Sequence, residues 1–304
     1  MNFKAINLPI EYVTVFEGDG EVPPDNESEA IWRQLGVTDI RKKSRADNFW
    51  GPTGSEGPCG PTTEIYVNGL EIWNIVFNEY YQKPDKSLEK LVQNGVDTGM
   101  GLERLAMVIQ GKRNIFETDL FAPLASLLPA ELSPRTKRVI ADHSRAMAFL
   151  LADGVRSSNK GAGYVLRRLM RRVLVYEKLQ GIPPHVFTSL LHEITHQYGE
   201  FYPELEKNSG AIHAETSFEK EKFSRTLERG VRELERMNAI EAASAFRLYE
   251  TFGLPYEVIK ELGGEKAHGL TRETFDGEFA RHQEVSRAGQ ERKFGGHGLI
   301  LDTG

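Results

Sequence analysis

VDTGMGLERL, residues 96–105, is the stretch on which the reading of this chain turns. A strand-like segment leads into it, and an apolar helical pattern (Leu105, Val108, Ile109) leaves it. Gly99 and Gly101 let backbone approach a ligand closely at a strand-to-helix junction. Asp97 precedes the glycines and Arg104 follows them. One end can therefore hold an ammonium group and the other a phosphate or the face of a nucleobase. The competing reading is a tight turn closed by a surface ion pair.

Upstream, the pattern is of strands punctuated by glycine. YVTVF (12–16) is β-branched and aromatic, and Glu64–Val67 and EIWNIVFNEYY (71–81) read as two further strands joined at Asn68-Gly69, a hairpin signal. NFWGPTGSEGPCGP (48–61) reads as a loop, and Glu27–Leu35 as a short helix. Together these predict an α+β region with an antiparallel sheet.

Downstream of about residue 125 the texture is helical. Ser133-Pro134 is a start signal for a helix whose stripe is Ile140, Met147, Leu150 and Leu151. Further helices are predicted over Gly163–Leu179, Val186–Phe201, Ala214–Asn238, Ala242–Thr251, Tyr256–Leu262 and Arg272–Arg287. The long fourth helix carries the stripe Phe218, Phe223, Leu227, Val231 and Leu234. This gives a first domain over 1–125, a helical domain over 126–287 and a glycine-rich linker over 288–304.

A chain of 304 residues is long enough for two domains. With 39% hydrophobic and 27% charged residues it reads as soluble, and no apolar run approaches membrane-spanning length. The single cysteine, Cys59, excludes an internal disulfide and a Cys-rich zinc site; with no signal pattern over 1–9, a cytoplasmic setting is expected. Net charge of −6 argues against indiscriminate nucleic-acid binding. Arg167, Arg168, Arg171 and Arg172 nonetheless crowd one side of a helix, as either a phosphate-binding or a solvated face. HEITH (192–196) fits the H-E-x-x-H zinc-protease pattern but lacks a third ligand in recognisable context. Cys59 has no histidine near it in sequence and makes a poor nucleophile.

Several blocks in order carry a family resemblance: DNFWGPTGSEGPCGPTTEIY (47–66), EIWNIVFNEYY (71–81), VDTGMGLERL (96–105), DHSRAMAFLLADGVRSSNKGAGYVLRRLMRRV (142–173), FSRTLERGVREL (223–234) and AFRLYETFGLP (245–255). On these residues the chain resembles the bacterial alanyl-tRNA synthetases of class II. The resemblance implies the C-terminal part of an antiparallel-sheet catalytic domain followed by an all-α tRNA-recognition domain. It implies activation of alanine with ATP and Mg²⁺, then transfer to the 3′ end of alanine tRNA. Asp97 matches the residue that binds the alanine ammonium, and Asn74 one that contacts the amino acid near its carboxylate end. Trp50 and Val76 match the walls of a methyl pocket, Gly99 and Gly101 admit the adenylate, and Arg104 matches the arginine that meets adenine or phosphate. Glu71 is a candidate Mg²⁺ ligand by its place in a strand. Asn159 matches a reader of the acceptor-stem G·U pair, and Arg167, Arg168, Arg171 and Arg172 would hold phosphates.

Two departures qualify the match. The second wobble reader is an aspartate in the family, and here it is Glu250, which reaches one methylene further and predicts weaker or re-registered discrimination. The segments carrying the first two class II signatures, the zinc-bearing editing domain and the oligomerisation region have no counterpart here, so no zinc is expected. The expected whole is then half of a split enzyme, whose partner chain supplies the missing N-terminal part and with it activity, or a truncated product. A tRNA-binding module without catalysis is the alternative, and a zinc protease a distant one.

Overall fold

The β-branched and aromatic run YVTVF makes β1 (Tyr12–Phe16), buried on both faces, whose Val13, Val15 and Phe16 have no exposed surface. Burying each such side chain contributes about 1.5–3 kcal/mol. The computed structural model describes residues 8–52 and 54–282, which fall into two compact units, one up to Ala122 and one from Pro123 on. Asp25 accepts from the Ser28 N–H at 2.9 Å and so caps α1 (Asn26–Gln34), satisfying an orphan donor. Then follow β2 (Ile40–Lys43), α2 (Arg45–Asn48), β3 (Phe49–Trp50), β4 (Gly57–Val67), β5 (Leu70–Gln82), β6 (Leu88–Met100) and α3 (Leu102–Ile109). A short α4 (Ala122–Ser126) follows at the unit boundary.

The sheet runs β2-β1-β4-β5-β6, with β3 paired to β4. Expected to be antiparallel, it is mixed: β2 lies parallel to β1. A parallel neighbour needs a crossover of about a dozen residues or more, and the segment carrying α1 supplies one. The hairpin at Asn68-Gly69 is present, with φ of 53° and 71°, the left-handed pair that a two-residue turn demands. The predicted loop 48–61 is corrected. Its second part, GPCGP, is the start of β4, where pairing with β5 and β3 overrides the local preferences of glycine and proline. Gly60 permits this, because a Cβ at its position would overlap the Phe77 carbonyl oxygen of β5. Before GPCGP, Asn48 ends α2 and Phe49-Trp50 form β3, while 51–52 and 54–56 are loop as expected; β6 continues the sheet through the polar stretch LEKLVQNG.

The second unit is helical. Ser133 accepts from the Thr136 N–H (3.1 Å) and opens α5 (Pro134–Ala152), as its Ser-Pro signal predicts. The others are α6 (Gly161–Leu179), α7 (Pro184–Tyr198), α8 (Pro203–Lys207), α9 (Ser209–Arg236), α10 (Ala242–Phe252) and α11 (Tyr256–Gly263), then a helix over 272–282. The remainder of the predicted helix to Arg287 and the linker 288–304 lie outside the described residues. The core joins Leu174 of α6, Phe223, Leu227 and Leu234 of α9, Leu248 of α10 and Ile259 of α11. Phe218, predicted in the stripe of α9, is instead 61% exposed; the buried row is Ile212, Thr216, Glu219, Phe223, Leu227, Gly230 and Leu234, one position out of phase with it. Among the described residues no helix is long and apolar enough to cross a membrane.

Candidate functional site

Two faces of the first unit's sheet differ in chemistry. One carries Val13 and Ile65 into a core with Leu105 of α3 and Trp32 of α1, and Trp32 donates to Thr63 Oγ1 at 2.7 Å. The other is polar, and register assembles it. Thr14 pairs with Glu64, Glu64 with Asn74 and Asn74 with Gly99; two positions along, Thr62 pairs with Val76 and Val76 with Asp97. Side chains two apart share a face, so Glu64, Asn74, Val76 and Asp97 stand together, with Gly99 beside them. A bulge between Ile65 and Tyr66 brings Glu71 opposite Tyr66, on the same face.

Asp97 and Gly99 thus lie within strand β6 rather than in a tight turn, and the helix starts only after Gly101. The Asp97 carboxylate is exposed and accepts from the Thr98 N–H at 2.8 Å. A Cβ on Gly99 would meet nothing within 4 Å, so the glycine leaves open space over the strand. Arg104, in the first turn of α3, reaches back to Glu71: Nη1 donates to the carboxylate at 2.9 Å and to the backbone carbonyl at 3.0 Å. The predicted ion pair therefore exists, but its partner is Glu71 and not Asp97. Val76 is buried, whereas Trp50 is 38% exposed on β3 opposite Gly60, two positions along β4 from the residue that faces Val76.

Glu64 is the residue that sequence reasoning missed. It is buried, and its carboxylate accepts from Tyr66 Oη (2.9 Å), Thr14 Oγ1 (3.2 Å) and Asn74 Nδ2 (3.3 Å). The last bond leaves Asn74 Oδ1 buried with no hydrogen-bond partner. Burial pushes the Glu64 carboxyl above its ordinary value of 4.5; the Tyr66 hydroxyl opposes the rise and the charge of Glu71 adds to it. The folded state then holds its proton to higher pH than the unfolded chain does. Its contribution to stability is complete below pH 4.5 and is lost as pH rises through the raised value. Glu64→Gln is expected to flatten that slope, measured as the difference in urea midpoint between the two proteins from pH 4.5 upward; parallel curves would refute it. The Cys59 thiol is also buried and pushed up by burial, which suits packing and not nucleophilic attack.

In the helical unit, the four arginines of α6 do not form a solvated face. Arg171 Nε meets Glu219 Oε1 at 2.7 Å, and Arg167 Nε lies 3.6 Å from the same oxygen. Arg168 lies 3.8 Å from Glu257, and Arg172 lies 4.0 Å from Glu261 and 3.3 Å from His143 Nε2. Arg167 also donates to the Asn159 side chain and, at 3.1 Å, to the Ser157 carbonyl. Glu250 on α10 pairs with His282 at 2.7 Å. His192 and His196 are exposed on α7, and among the described residues no group of three possible metal donors occurs, so the zinc-protease reading gains no third ligand.

A family model of the class II tRNA synthetases (A) matches residues 67–298. An alanine–tRNA ligase of Borrelia garinii subsp. bavariensis is 39% identical over 96% of this chain and 56% of its own length. That of Treponema pallidum is 40% identical over 93% of the chain and 54% of its own length, and that of Rubrobacter xylanophilus 36% identical over 95% and 38%. The chain spans about half the length of the first of these relatives.

Proposed function

The chain belongs to the class II tRNA synthetases, and from that premise we propose that it is the adenylate-binding and acceptor-stem-reading part of an alanine–tRNA ligase. The reaction is activation of alanine by ATP to alanyl-adenylate and pyrophosphate, then transfer to the 3′ end of alanine tRNA, in a cytoplasmic setting. The observation that carries it is the convergence of Asp97, Asn74, Val76 and the Glu71–Arg104 pair on one sheet face.

Asp97 offers a carboxylate to the alanine ammonium, a charge-assisted bond. The amide of Asn74 gives its N–H to Glu64, so its free oxygen suits a donor. This favours the ammonium over the carboxylate contact that the resemblance implied, since a carbonyl oxygen repels a carboxylate. Val76, with Trp50, limits the side chain to a methyl. Gly99 leaves room for the adenylate, whereas the Arg104 side chain already covers Gly101; Glu71 tethers Arg104 through Nη1 and leaves the rest of the guanidinium for adenine or phosphate. Mg²⁺ is commonly held by one or two carboxylates together with substrate phosphates; Glu71 gives Oε2 to Arg104, so it would offer such an ion its other oxygen, with the phosphates supplying the rest. When bound, the ion would offset charge on the ATP phosphates. Asn159 and Glu250 read the G·U pair, and the α6 arginines, already engaged by carboxylates, serve that surface more by ordering it than by contacting phosphate.

Alanyl-sulfamoyl-adenosine, a stable analogue of the adenylate, tests the sheet face by titration calorimetry. The protein is expected to bind it, and Asp97→Ala to weaken binding about 10- to 100-fold, the worth of one hydrogen bond to a charged group. Seryl and glycyl analogues should fall within about 100-fold of it, because one small group discriminates poorly. A parallel arm measures an alanine-tRNA acceptor hairpin with G·U and with G·C at one salt concentration, since phosphate contacts dominate affinity. Preference for G·U of about tenfold is expected. Hairpin binding without analogue binding would identify a tRNA-binding module that lacks catalysis; neither binding would overturn the proposal.

A further inference from the structure

We propose that Glu219 positions both candidate acceptor-stem readers, Asn159 and Glu250, using Arg167 and Arg171 as struts. The inference rests on the reading above that these two residues face the acceptor stem.

Glu219 has no exposed surface, although it sits on a helix whose neighbouring acids, such as Glu221, are largely exposed. Buried carboxylates are rare unless paired, and this one meets two guanidinium groups on α6. In Arg171, Nε faces Glu219 at 2.7 Å, and Nη1 donates to the Gly253 carbonyl at 3.1 Å. Gly253 is the left-handed glycine (φ 75°) that ends α10, three residues beyond Glu250. In Arg167, Nε faces Glu219, Nη2 donates to the Ser157 carbonyl and Nη1 to Asn159 Oδ1. The hydrogen bond to Glu219 pins the planar fork of Arg171 at one edge and fixes its far nitrogens, which a lysine cannot do, while Arg167, at 3.6 Å, is held beside the carboxylate by charge attraction. One carboxylate thereby aims two arms, one at the loop that carries Asn159 and one at the end of the helix that carries Glu250.

The surroundings fit positioning better than stabilisation. Glu219 Oε2 and Arg167 Nε are buried without hydrogen-bond partners, so the cluster is not the most stable way to fill this space. A second tie runs from the same face of α9 one turn earlier, where Glu215 accepts from the Ser157 N–H at 3.1 Å. The loop is therefore held at Ser157 from both sides, with Asn159 two residues further on. Gly253 allows the approach of Arg171, because a Cβ there would collide with the guanidinium.

The test uses Glu219→Gln, Arg167→Lys and Arg171→Lys in the full chain. Amide hydrogen exchange reads the segments 155–160 and 249–254, and hairpin binding reads the G·U to G·C preference at fixed salt. Glu219→Gln is expected to raise exchange in both segments together, by about tenfold, with the interiors of α5 and α7 as protected as before. The G·U preference should drop by about fivefold or more, with the salt dependence of binding unchanged. Arg167→Lys should loosen 155–160 alone and Arg171→Lys 249–254 alone. If Glu219→Gln fails to fold, the two lysine variants decide by that segment-specific pattern. Unchanged exchange in both segments overturns the proposal, as does a loosening that leaves the G·U preference intact. A wild-type protein without G·U preference refutes the reading of the two residues, while coupled loosening would still establish the Glu219 linkage.

Discussion

Gly60→Ala is expected to unfold the sheet of the first unit. A Cβ at this position would penetrate the Phe77 carbonyl oxygen and lie 3.0 Å from its carbon and 3.1 Å from the Glu79 nitrogen. All three are backbone atoms of β5, the strand that carries Asn74 and Val76, so no side-chain rotation relieves the overlap. The strands must separate where β4 already changes register between Cys59 and Thr62. The expected cost is about 4 kcal/mol or more, in the range of the most damaging single substitutions. The reporter is built in: the three tryptophans, Trp32, Trp50 and Trp73, all belong to the first unit, so their fluorescence follows it alone during urea unfolding. Gly20→Ala, whose Cβ would meet nothing within 4 Å, is the silent control. A native tryptophan spectrum and an unchanged midpoint for Gly60→Ala would show that β4 and β5 do not approach as described.

Arg171→Met is expected to have the largest effect in the helical unit. It leaves the Glu219 carboxylate buried with only Arg167, at 3.6 Å, near it, and deprives the Gly253 carbonyl of a donor. It also removes the guanidinium that lies 4.8 Å from the Phe223 ring centre. Removing one partner of a buried ion pair costs about 3–5 kcal/mol, and the remaining arginine places this case near about 3. The diagnostic is the double variant Arg171→Met with Glu219→Leu. The double variant no longer buries an unpaired carboxylate, and Arg167 keeps its bonds to Ser157 and Asn159, so it should recover about 2 kcal/mol of the loss, a coupling far beyond additivity. Thermal or urea unfolding followed by helical circular dichroism measures both. Additive losses would mean that the two side chains do not interact.

The strongest patterns in the chain proved reliable where chemistry is local. Asn68-Gly69 makes its turn and Ser133-Pro134 starts its helix, because both act through their own backbone. What stayed hidden depends on partners distant in sequence. GPCGP is strand because β5 and β3 accept it, and β6 is strand although LEKLVQNG lacks an apolar face. Asp97, Asn74, Val76 and Arg104 were visible as residues, but their common face rests on register and on a bulge that no local pattern marks. The arginine quartet looked like a surface because its partners, Glu219, Glu257 and Glu261, lie tens of residues away. One signal was available and misread. Counting back from Phe223 by helical turns leads to Glu219 and Thr216, and Phe218 falls between them, outside the stripe.

The turn at Asn68-Gly69 also sets the order in time in which the candidate site comes together. Asn74 and Glu64 touch across ten residues of chain, whereas Thr14 reaches the same carboxylate across fifty. Closing the longer loop costs about 1.4 kcal/mol more in chain entropy, so the half of the site built on the hairpin is the cheaper to nucleate. A change at the turn would therefore act on how fast the polar face is assembled more than on its finished geometry.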